Sequence, residues 1–319
     1  MAYVLVSGGA GFIGSHLIDL LLERGDSVLC VDDLSTGTSE NSRRHLGDAR
    51  YDFLEADVCD HQLAAVVGGS TGRRFDAVIH LASPASPPAY LARPIETLDA
   101  GSQGTRQLLD IARADSARFL LASTSEIYGD PLVHPQVESY TGNVNPVGVR
   151  SAYDEAKRFA EALTMAFARV HGVDVRIARI FNTYGPRMRP DDGRVVTNFI
   201  YQALSGEPLT IFGDGTQTRS FCYVDDEAAG LLALLDSDVT VPVNIGNPHE
   251  VTIAEFAELV IEMTGSSSSV VYRPLPTDDP HVRQPDITLA RRLLGWEPKV
   301  ELAEGLRRTI DAYRTTAGP

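Results

Sequence analysis

The sequence is poor in cysteine, lysine and tryptophan. Its 319 residues include three cysteines, two lysines and one tryptophan. Cys30, Cys59 and Cys222 are far apart in the chain and form no C-x-x-C pair. This pattern excludes a disulfide framework and a thiolate zinc site, and it fits a reducing compartment. We predict no metal site.

Long apolar runs and excess positive charge are also missing. No window approaches the ~18 uncharged apolar residues of a membrane span, and residues 1–6 lack the basic start and apolar stretch of a signal peptide. We therefore expect a cytoplasmic protein that does not bind membranes. With 43 acidic and 28 basic residues the net charge is −15, which argues against nucleic acid held through its phosphates. An anionic ligand would need a local cluster of arginines.

The residues that are present predict a globular α/β protein. Short apolar runs rich in Val, Ile and Leu alternate with longer amphipathic stretches, which is the βαβ pattern. The predicted strands are residues 3–6, 27–31, 51–54, 77–80, 119–122 and 173–180. The predicted helices are residues 12–23, 94–112 and 152–171. The fold class is therefore a Rossmann-like doubly wound parallel sheet, with helices covering both faces.

A glycine-rich turn joins the first predicted strand to the first helix. Gly8, Gly9, Gly11 and Gly14 satisfy both G-x-G-x-x-G and G-x-x-G-x-x-G. Such glycines allow a tight turn and a close approach of the backbone to a pyrophosphate, which then faces the helix N-terminus. Asp32 ends the second strand eighteen residues after Gly14, close to the ~20-residue offset of a ribose-binding acid. The pattern predicts a dinucleotide site.

The acidic residues at the strand ends indicate which dinucleotide binds. The Asp32 carboxylate would accept hydrogen bonds from both ribose hydroxyls and repel a 2′-phosphate, and Asp33 beside it adds to the repulsion. NAD is therefore favoured over NADP. Asp57 and Val58 follow the third strand and would lie near the adenine. A simple strand-end turn is an equally good interpretation of Asp57.

Prolines become frequent after Arg179 and break the chain into short elements. We predict that residues 1–178 form the NAD-binding domain, to which residues 218–247 return. Residues 179–217 and 248–319 would then form a smaller C-terminal α/β lobe that binds the substrate.

Tyr153 and Lys157 stand four residues apart at the start of a predicted helix, so their side chains project from one face. With two lysines in the chain, a chance Tyr-x-x-x-Lys is rare. An ammonium beside a phenol lowers the phenol pKa, so Tyr153 could take a proton from a substrate hydroxyl while hydride leaves for nicotinamide. Thr124 or Ser125, after the strand 119–122, could share that hydrogen bond. A turn or helix cap is the alternative for both.

Several further stretches carry a family pattern. They are residues 80–88 (HLASPASPP), 123–131 (STSEIYGDP), 142–146 (GNVNP), 179–188 (RIFNTYGPRM), 192–196 (DGRVV), 213–221 (GDGTQTRSF) and 278–286 (DDPHVRQPD). Together with the glycine turn and the Y-x-x-x-K motif, the sequence resembles the extended short-chain dehydrogenases/reductases over almost the whole chain. Within that group it is similar to the UDP-glucuronic acid decarboxylases, which make UDP-xylose.

The resemblance implies roles for individual residues. The implied catalytic positions are Thr124, Glu126, Tyr153, Lys157 and Arg283. The implied cofactor-binding residues are Gly8, Gly11, Phe12, Ile13, Gly14, Asp32, Asp57, Val58, Leu81, Ala82, Tyr153 and Lys157. The implied residues for the UDP-sugar are Pro84, Ser86, Tyr90, Ser125, Asn182, Arg187, Thr210, Phe212, Gln217, Arg219 and Arg283. A surface ion pair is the alternative for each arginine.

The reaction implied is decarboxylation of UDP-glucuronate through a 4-keto intermediate, with NAD recycled internally. The alternatives are a nucleotide-sugar 4-epimerase, which tends to carry Ser where this chain has Glu126, and a non-catalytic NAD sensor, which commonly loses the Tyr/Lys pair. Related enzymes form homodimers through two helices per subunit, here residues 94–112 and 152–171.

The chain also departs from the family pattern around the active Tyr. Gly101 stands where the family usually has Asn, and Thr141 where it has Trp. Val149, Ala152 and Ala156 replace the Pro, Cys and Gly that often flank the Tyr.

Overall fold

The computed structural model describes residues 1–276 and 280–317. Within them lie thirteen strands: β1 (Tyr3–Ser7), β2 (Ser27–Asp32), β3 (Tyr51–Glu55), β4 (Ala77–His80), β5 (Arg118–Thr124), β6 (Val175–Ile180), β7 (Thr183–Tyr184), β8 (Leu209–Phe212), β9 (Thr218–Ser220), β10 (Cys222–Tyr223), β11 (Val243–Ile245), β12 (Glu250–Thr252) and β13 (Val270–Arg273). Of the stretch 278–286 that resembles the family, residues 278 and 279 lie outside the described residues.

Eleven α-helices lie in the same part of the chain: α1 (Phe12–Glu23), α2 (Ser39–Arg43), α3 (Leu63–Thr71), α4 (Pro87–Ala92), α5 (Pro94–Asp99), α6 (Thr105–Asp115), α7 (Ser151–His171), α8 (Val195–Leu204), α9 (Val224–Asp236), α10 (Ile253–Thr264) and α11 (Leu302–Ala317). A 3₁₀ turn covers Ser125–Tyr128, and single π-helical turns cover Ala100–Gly104 and Ala290–Leu294.

Seven parallel strands form the central sheet, in the order β11-β6-β5-β4-β1-β2-β3. All six predicted strands belong to it, so the doubly wound parallel sheet is confirmed. The strand order reverses between β1 and β4, and ligands of such sheets bind in the crevice at the carboxyl ends of the strands on either side of that point.

Alternate residues of each central strand feed two separate cores. In β1, Val4 and Val6 pack toward α1 and α9 on one face of the sheet, whereas Leu5 packs toward α6 and α7 on the other. Both faces are therefore apolar, which explains why the strands read as continuous apolar runs rather than alternating ones.

The helix predicted over residues 94–112 is wrong in detail. The chain forms α5, then the π-helical turn, then α6, which ends at Asp115. A Cβ on Gly101 would lie 2.7 Å from the Cβ of Ala156, and one on Gly104 would lie 2.8 Å from a methyl of Val58. The π turn, which holds one extra residue per hydrogen-bonded ring, therefore brings bare backbone against its neighbours.

Two strand predictions also need correction. β6 starts at Val175 rather than at residue 173. The seventh strand, β11, was not predicted, because three residues between a proline and a glycine are too short for a recognisable pattern.

A third apolar core lies in the C-terminal part of the chain, where α8, α10 and α11 pack around residues such as Phe199 and Phe256. Two short strand pairs, β8 with β13 and β9 with β12, belong to the same region. In the sequence, α9 and β11 lie between β9 and β12. In the fold, α9 packs on α1, and β11 pairs with β6 in the central sheet. The domain boundaries given above stay a prediction.

Among the described residues, no helix combines the length and apolar character needed to cross a bilayer, and no group of three or more His, Cys, Asp or Glu side chains is arranged to hold a metal ion.

Candidate active site

The glycine-rich turn connects β1 to α1 with very little space around it. Gly8 has φ +76°, and a Cβ there would lie 2.5 Å from the backbone nitrogen of Ala82. A Cβ on Gly14 would overlap the carbonyl oxygen of Gly8. Gly11 caps α1 without any side-chain hydrogen bond, so the first amide groups of the helix face the crevice. This cradle fits the pyrophosphate of a dinucleotide.

Asp32 ends β2 and is 6% exposed. One carboxylate oxygen accepts a hydrogen bond from the amide of Ala10 at 3.0 Å, and the other accepts from the amide of Leu34 at 2.9 Å. Burial raises its pKa, while the two amides act in the opposite direction. The amides fix the orientation of the carboxylate, and each oxygen keeps a lone pair for a ribose hydroxyl.

A cavity of 530 Å³ extends from the glycine-rich turn across the carboxyl ends of the strands. Every predicted cofactor-binding residue and most of the other predicted site residues line it. They are Gly8, Gly11, Phe12, Ile13, Gly14, Asp32, Asp57, Val58, Leu81, Ala82, Pro84, Ser86, Thr124, Ser125, Glu126, Tyr153, Lys157, Asn182 and Arg187. The roles assigned to these residues stay predictions.

Tyr153 and Lys157 lie in the first two turns of α7 and are buried. The ring of Tyr153 stacks on that of Tyr90, with 5.2 Å between the ring centroids and 7° between the planes. Lys157 Nζ donates a hydrogen bond to the carbonyl oxygen of Ala122 at 2.9 Å. The carbonyl fixes the ammonium at the end of β5, next to Thr124, in the same cavity.

The prediction that Lys157 lowers the pKa of Tyr153 is wrong for the protein without bound cofactor. Burial raises the pKa of Tyr153 to about 12, against the opposing influence of Arg194 and a hydrogen bond with Thr124. Burial also lowers the pKa of Lys157 to about 8. Nζ lies 5.9 Å from the centre of the Tyr153 ring, and removal from water decides the direction of both pKa shifts.

Glu126 lies in the 3₁₀ turn after β5, between two arginines. One carboxylate oxygen is 2.8 Å from Nη2 of Arg150 and 3.3 Å from Nη2 of Arg283. Burial acts to raise the pKa of Glu126, but the charges of Arg283 and Arg150 prevail and hold it well below its usual range. Arg283 also donates to the carbonyl oxygens of Ser125 and Gly129. A carboxylate and two guanidinium groups thus converge beside Thr124.

Two of the departures from the family pattern lie in contact with each other. Gly101 packs against Ala156, where a Cβ on Gly101 would lie 2.7 Å from the Ala156 carbonyl oxygen. The backbone carbonyl carbon of Ala156 lies 2.9 Å from the same point. The helix pair is therefore in close contact at Gly101, where the Ala156 backbone as well as its methyl leaves no room for a side chain.

Residues 210–212, which are predicted to contact the uracil, do not line the 530 Å³ cavity, the main cavity of the site. The side-chain amide of Gln202 bonds to both the amide and the hydroxyl of Thr210. Gln217 donates to the carbonyl oxygen of Phe212, whose ring is 42% exposed. Arg219 donates to the carbonyl oxygens of its neighbour Thr218 and of Pro280, both at 2.8 Å.

Arg187 lies nearer the dinucleotide cradle than the predicted sugar site. Its guanidinium is 2.5 Å from the carboxylate of Asp19 and 3.2 Å from the hydroxyl of Ser15, both on α1. Its φ is +67°. Its predicted contact with the UDP-sugar stays a prediction.

Two arginines of the site were missed from the sequence. Arg194 precedes α8, lines the main cavity, donates to the carbonyl oxygen of Ala85 at 2.8 Å and acts to lower the pKa of Tyr153. Arg150 precedes α7 and pairs with Glu126. Arg194 stands inside the DGRVV stretch, and Arg150 stands three residues before the active Tyr. Their positions within or beside these motifs could have identified both arginines as site residues.

Comparisons with known proteins agree with this geometry. The model of the NAD dependent epimerase/dehydratase family matches residues 4–246. The UDP-glucuronic acid decarboxylase 2 of Arabidopsis thaliana is 52% identical over 311 residues, which are 98% of this chain and 68% of that one. The resemblance to this group is confirmed.

Solved structures agree in fold. The UDP-glucose 4-epimerase of Thermotoga maritima, solved with UDP-glucose, has a TM-score of 0.91 and 33% identity over 99% of this chain and all of that one. The UDP-glucuronic acid 4-epimerase of Bacillus cereus, solved with UDP-glucuronic acid and NAD, has a TM-score of 0.86 and 28% identity over 98% of this chain and 99% of that one. With its glycine cradle, its Tyr153/Lys157 pair and a family model matching most of its length, the chain belongs to the NAD dependent epimerase/dehydratase family.

Proposed function

We propose that the protein is an NAD-dependent decarboxylase that converts UDP-glucuronate to UDP-xylose and CO₂. The observation that carries this proposal is the Glu126 carboxylate, held by Arg150 and Arg283 in the cavity that contains Tyr153 and Lys157. The relatives at about 50% identity over nearly the whole chain bear the name UDP-glucuronic acid decarboxylase. The cofactor is NAD, for which the glycine cradle and Asp32 provide the site.

Oxidation at C4 of the sugar is the first step. NAD, when bound, supplies a positively charged hydride acceptor for C4 and afterwards returns the same hydride. Tyr153 takes the proton of the 4-hydroxyl, and Thr124, which bonds to Tyr153, shares the hydrogen bond to that oxygen. Lys157 and Arg194 bring positive charge to the phenol, which favours the phenolate that must form.

Loss of CO₂ follows because the 4-ketone makes the substrate a β-keto acid. The bond from C5 to the carboxylate breaks, and its electron pair passes into an enolate spread over C5, C4 and O4. Tyr153 and Thr124 can donate hydrogen bonds to O4 and stabilise that charge. Glu126 lies beside Thr124, so its negative charge disfavours the ionised substrate carboxylate and favours neutral CO₂.

A proton must then return to C5 before the ketone is reduced. Glu126 and a water held by Arg283 are the groups of this chain able to deliver it. Tyr153 finally returns its proton to O4, and the alcohol is restored. The redox chemistry is internally closed, so one UDP-glucuronate and one proton yield one UDP-xylose and one CO₂.

Binding of the UDP part uses positive charge in an acidic protein. We propose that Asn182, Arg219 and Arg283 hold the diphosphate and sugar, and that residues 210–212 with Gln217 contact the uracil. Bidentate donors such as Arg are suited to phosphate oxygens.

The experiment that tests the function is incubation of the purified protein with UDP-glucuronate. We expect release of CO₂ and formation of UDP-xylose in equal amounts, with no net NADH. Mass spectrometry measures the sugar nucleotides, and absorbance measures NADH. UDP-glucose, which has no carboxylate, serves as the control and should give no CO₂. If UDP-galacturonate is the main product and no CO₂ is released, the protein is a 4-epimerase and not a decarboxylase. If the protein binds NAD but turns over no substrate, it is an NAD sensor.

We propose that the protein is a homodimer built on α5 and α7, which pack against each other. Ile95 and Leu98 of α5 are 64% and 38% exposed, and Phe159 of α7 is 50% exposed. Exposed apolar side chains on one helix pair favour self-association. Light scattering should give twice the chain mass, and Phe159→Glu should give the monomer mass. A monomer before substitution would contradict this assembly.

We propose a cytoplasmic location, because Cys30, Cys59 and Cys222 are free thiols and thiols persist in a reducing compartment. Fractionation of cells that produce the protein, with detection by antibody, is the check.

A further inference from the structure

A second cavity of 510 Å³ lies on the other side of the Glu126 ion pair. Among the described residues that line it are Asp130, Arg150, Asp154 and His281. Glu126 lines the main cavity, whereas Arg150, its ion-pair partner at 2.8 Å, lines the second. This ion pair therefore joins the walls of the two cavities.

Asp154 is the unusual group of the second cavity. It follows Tyr153 on α7 and is 6% exposed, and its Oδ1 is buried without a hydrogen-bond partner. A buried ionised carboxylate without a full set of partners is costly. This carboxyl has no part in the oxidation and CO₂ loss proposed for the main cavity, although it lies one residue from the group that accepts the O4 proton.

The proposed reaction consumes one proton at C5 in each turnover. When the C5 bond to the carboxylate breaks, the electron pair remains on the sugar, and C5 must gain one proton from outside. The proton held by Tyr153 is not available, because it returns to O4. Glu126, ionised between Arg150 and Arg283, holds no proton at rest.

We propose that Asp154 takes up a proton from solvent through the second cavity and passes it, by way of Glu126, to C5 of the substrate. This inference rests on the proposed decarboxylase function. Asp154 is then a proton-relay residue, and the second cavity is the entry path for the proton that each turnover consumes.

The charges around Asp154 fit this role. Burial raises its pKa, and Glu126 from the 3₁₀ turn adds to the rise, while Arg150 before α7 and Arg283 act in the opposite direction. Glu155 on α7 raises it further. Asp130 and His281, which are 3.2 Å apart, face the same cavity, and Tyr153, stacked on Tyr90, is the residue before Asp154 on α7. A carboxyl with a raised pKa keeps its proton toward neutral pH.

The test is Asp154→Asn, assayed with UDP-glucuronate for kcat, KM and the steady-state fraction of bound NADH. We expect kcat to fall by ~10- to 100-fold, less than the ~10² to 10⁴ of a group that contacts the substrate, with KM nearly unchanged. Because protonation of C5 follows oxidation, the slow step should leave more of the enzyme in the NADH form. In the unsubstituted protein kcat should fall as the pH rises through the raised pKa of Asp154, and the variant should lose this fall.

Three further proteins make the result specific. Glu155→Gln removes a carboxylate from the next position, half-exposed and 3.5 Å from Arg158. Because Glu155 acts to raise the pKa of Asp154, this variant should keep kcat and the low NADH fraction at acidic pH, and the fall in kcat should move only slightly to lower pH. Asp154→Glu should restore most of kcat, and Asp154→Ala should behave like the Asn variant, with unfolding temperatures measured for all.

Equal kcat and equal pH profiles for Asp154→Asn and Glu155→Gln would overturn the relay. So would a lower kcat with an unchanged NADH fraction. If the unsubstituted protein releases no CO₂ from UDP-glucuronate, the proposed function fails instead, so the two failures are distinct.

Discussion

Replacing Tyr153 by phenylalanine should lower turnover of UDP-glucuronate by ~10² to 10⁴, the usual contribution of positioned acid–base groups. The substitution deletes one hydroxyl and retains the ring that stacks on Tyr90. Without the hydroxyl, no group of comparable position takes the proton of O4, since Lys157 is bonded to the carbonyl oxygen of Ala122. Oxidation, the first step, is then slow, and bound NADH should not accumulate.

Binding should be nearly unaffected by the same substitution. The substitution removes one buried hydroxyl and keeps the ring that stacks on Tyr90, so the residues proposed to hold the UDP part are unchanged. Calorimetry with UDP and UDP-glucuronate measures this. Tyr201→Phe, in the C-terminal core beside Tyr313, is the matched loss of a tyrosine hydroxyl away from the site and should leave turnover unchanged. Near-normal turnover of the Tyr153 variant would remove it as the base.

The parts of the site that sequence predicted are those made by short-range geometry. Gly8, Gly11 and Gly14 act within one turn, and Tyr153 and Lys157 are one helical turn apart, so spacing alone specifies their arrangement. Asp32 is predictable for a related reason, because β2 pairs with β1 and ends at the same edge of the sheet.

The parts that sequence missed depend on contacts between distant segments. Glu126 pairs with Arg150, 24 residues later, which the sequence did not predict, and with Arg283, 157 residues later, which the family resemblance alone indicated. No periodicity in a single chain encodes such a contact. Likewise, the Tyr153 pKa was predicted from one neighbour, Lys157, whereas burial by the surrounding elements decides its direction.

The π turn shows a third limit. Propensity predicts one helix over residues 94–112, but the chain forms a π turn at Ala100–Gly104, where Gly101 is in close contact with Ala156. Packing decides here over local preference.

Replacing Glu126 by glutamine should also have a large effect, and it tests the acid–arginine cluster. Glutamine keeps the shape of the side chain but removes its charge and its ability to carry a proton. We expect kcat for CO₂ release and for UDP-xylose formation to fall together by ~10² to 10⁴. KM for UDP-glucuronate should be unchanged or lower, because Arg150 and Arg283 keep their positive charges and the local repulsion of the substrate carboxylate is gone.

The split between kcat and KM separates this role from a structural one. If Glu126 merely held Arg150 and Arg283 in place, its loss would weaken binding along with turnover, since Arg283 would leave the site. Glu126→Asp, which keeps the charge on a shorter side chain, should recover part of kcat, and unfolding temperatures show whether each variant is folded. Normal CO₂ release by the glutamine variant would exclude Glu126 from the reaction. A variant that oxidises UDP-glucuronate and holds NADH, yet releases little UDP-xylose, would place Glu126 after the oxidation step, where the proton for C5 is needed.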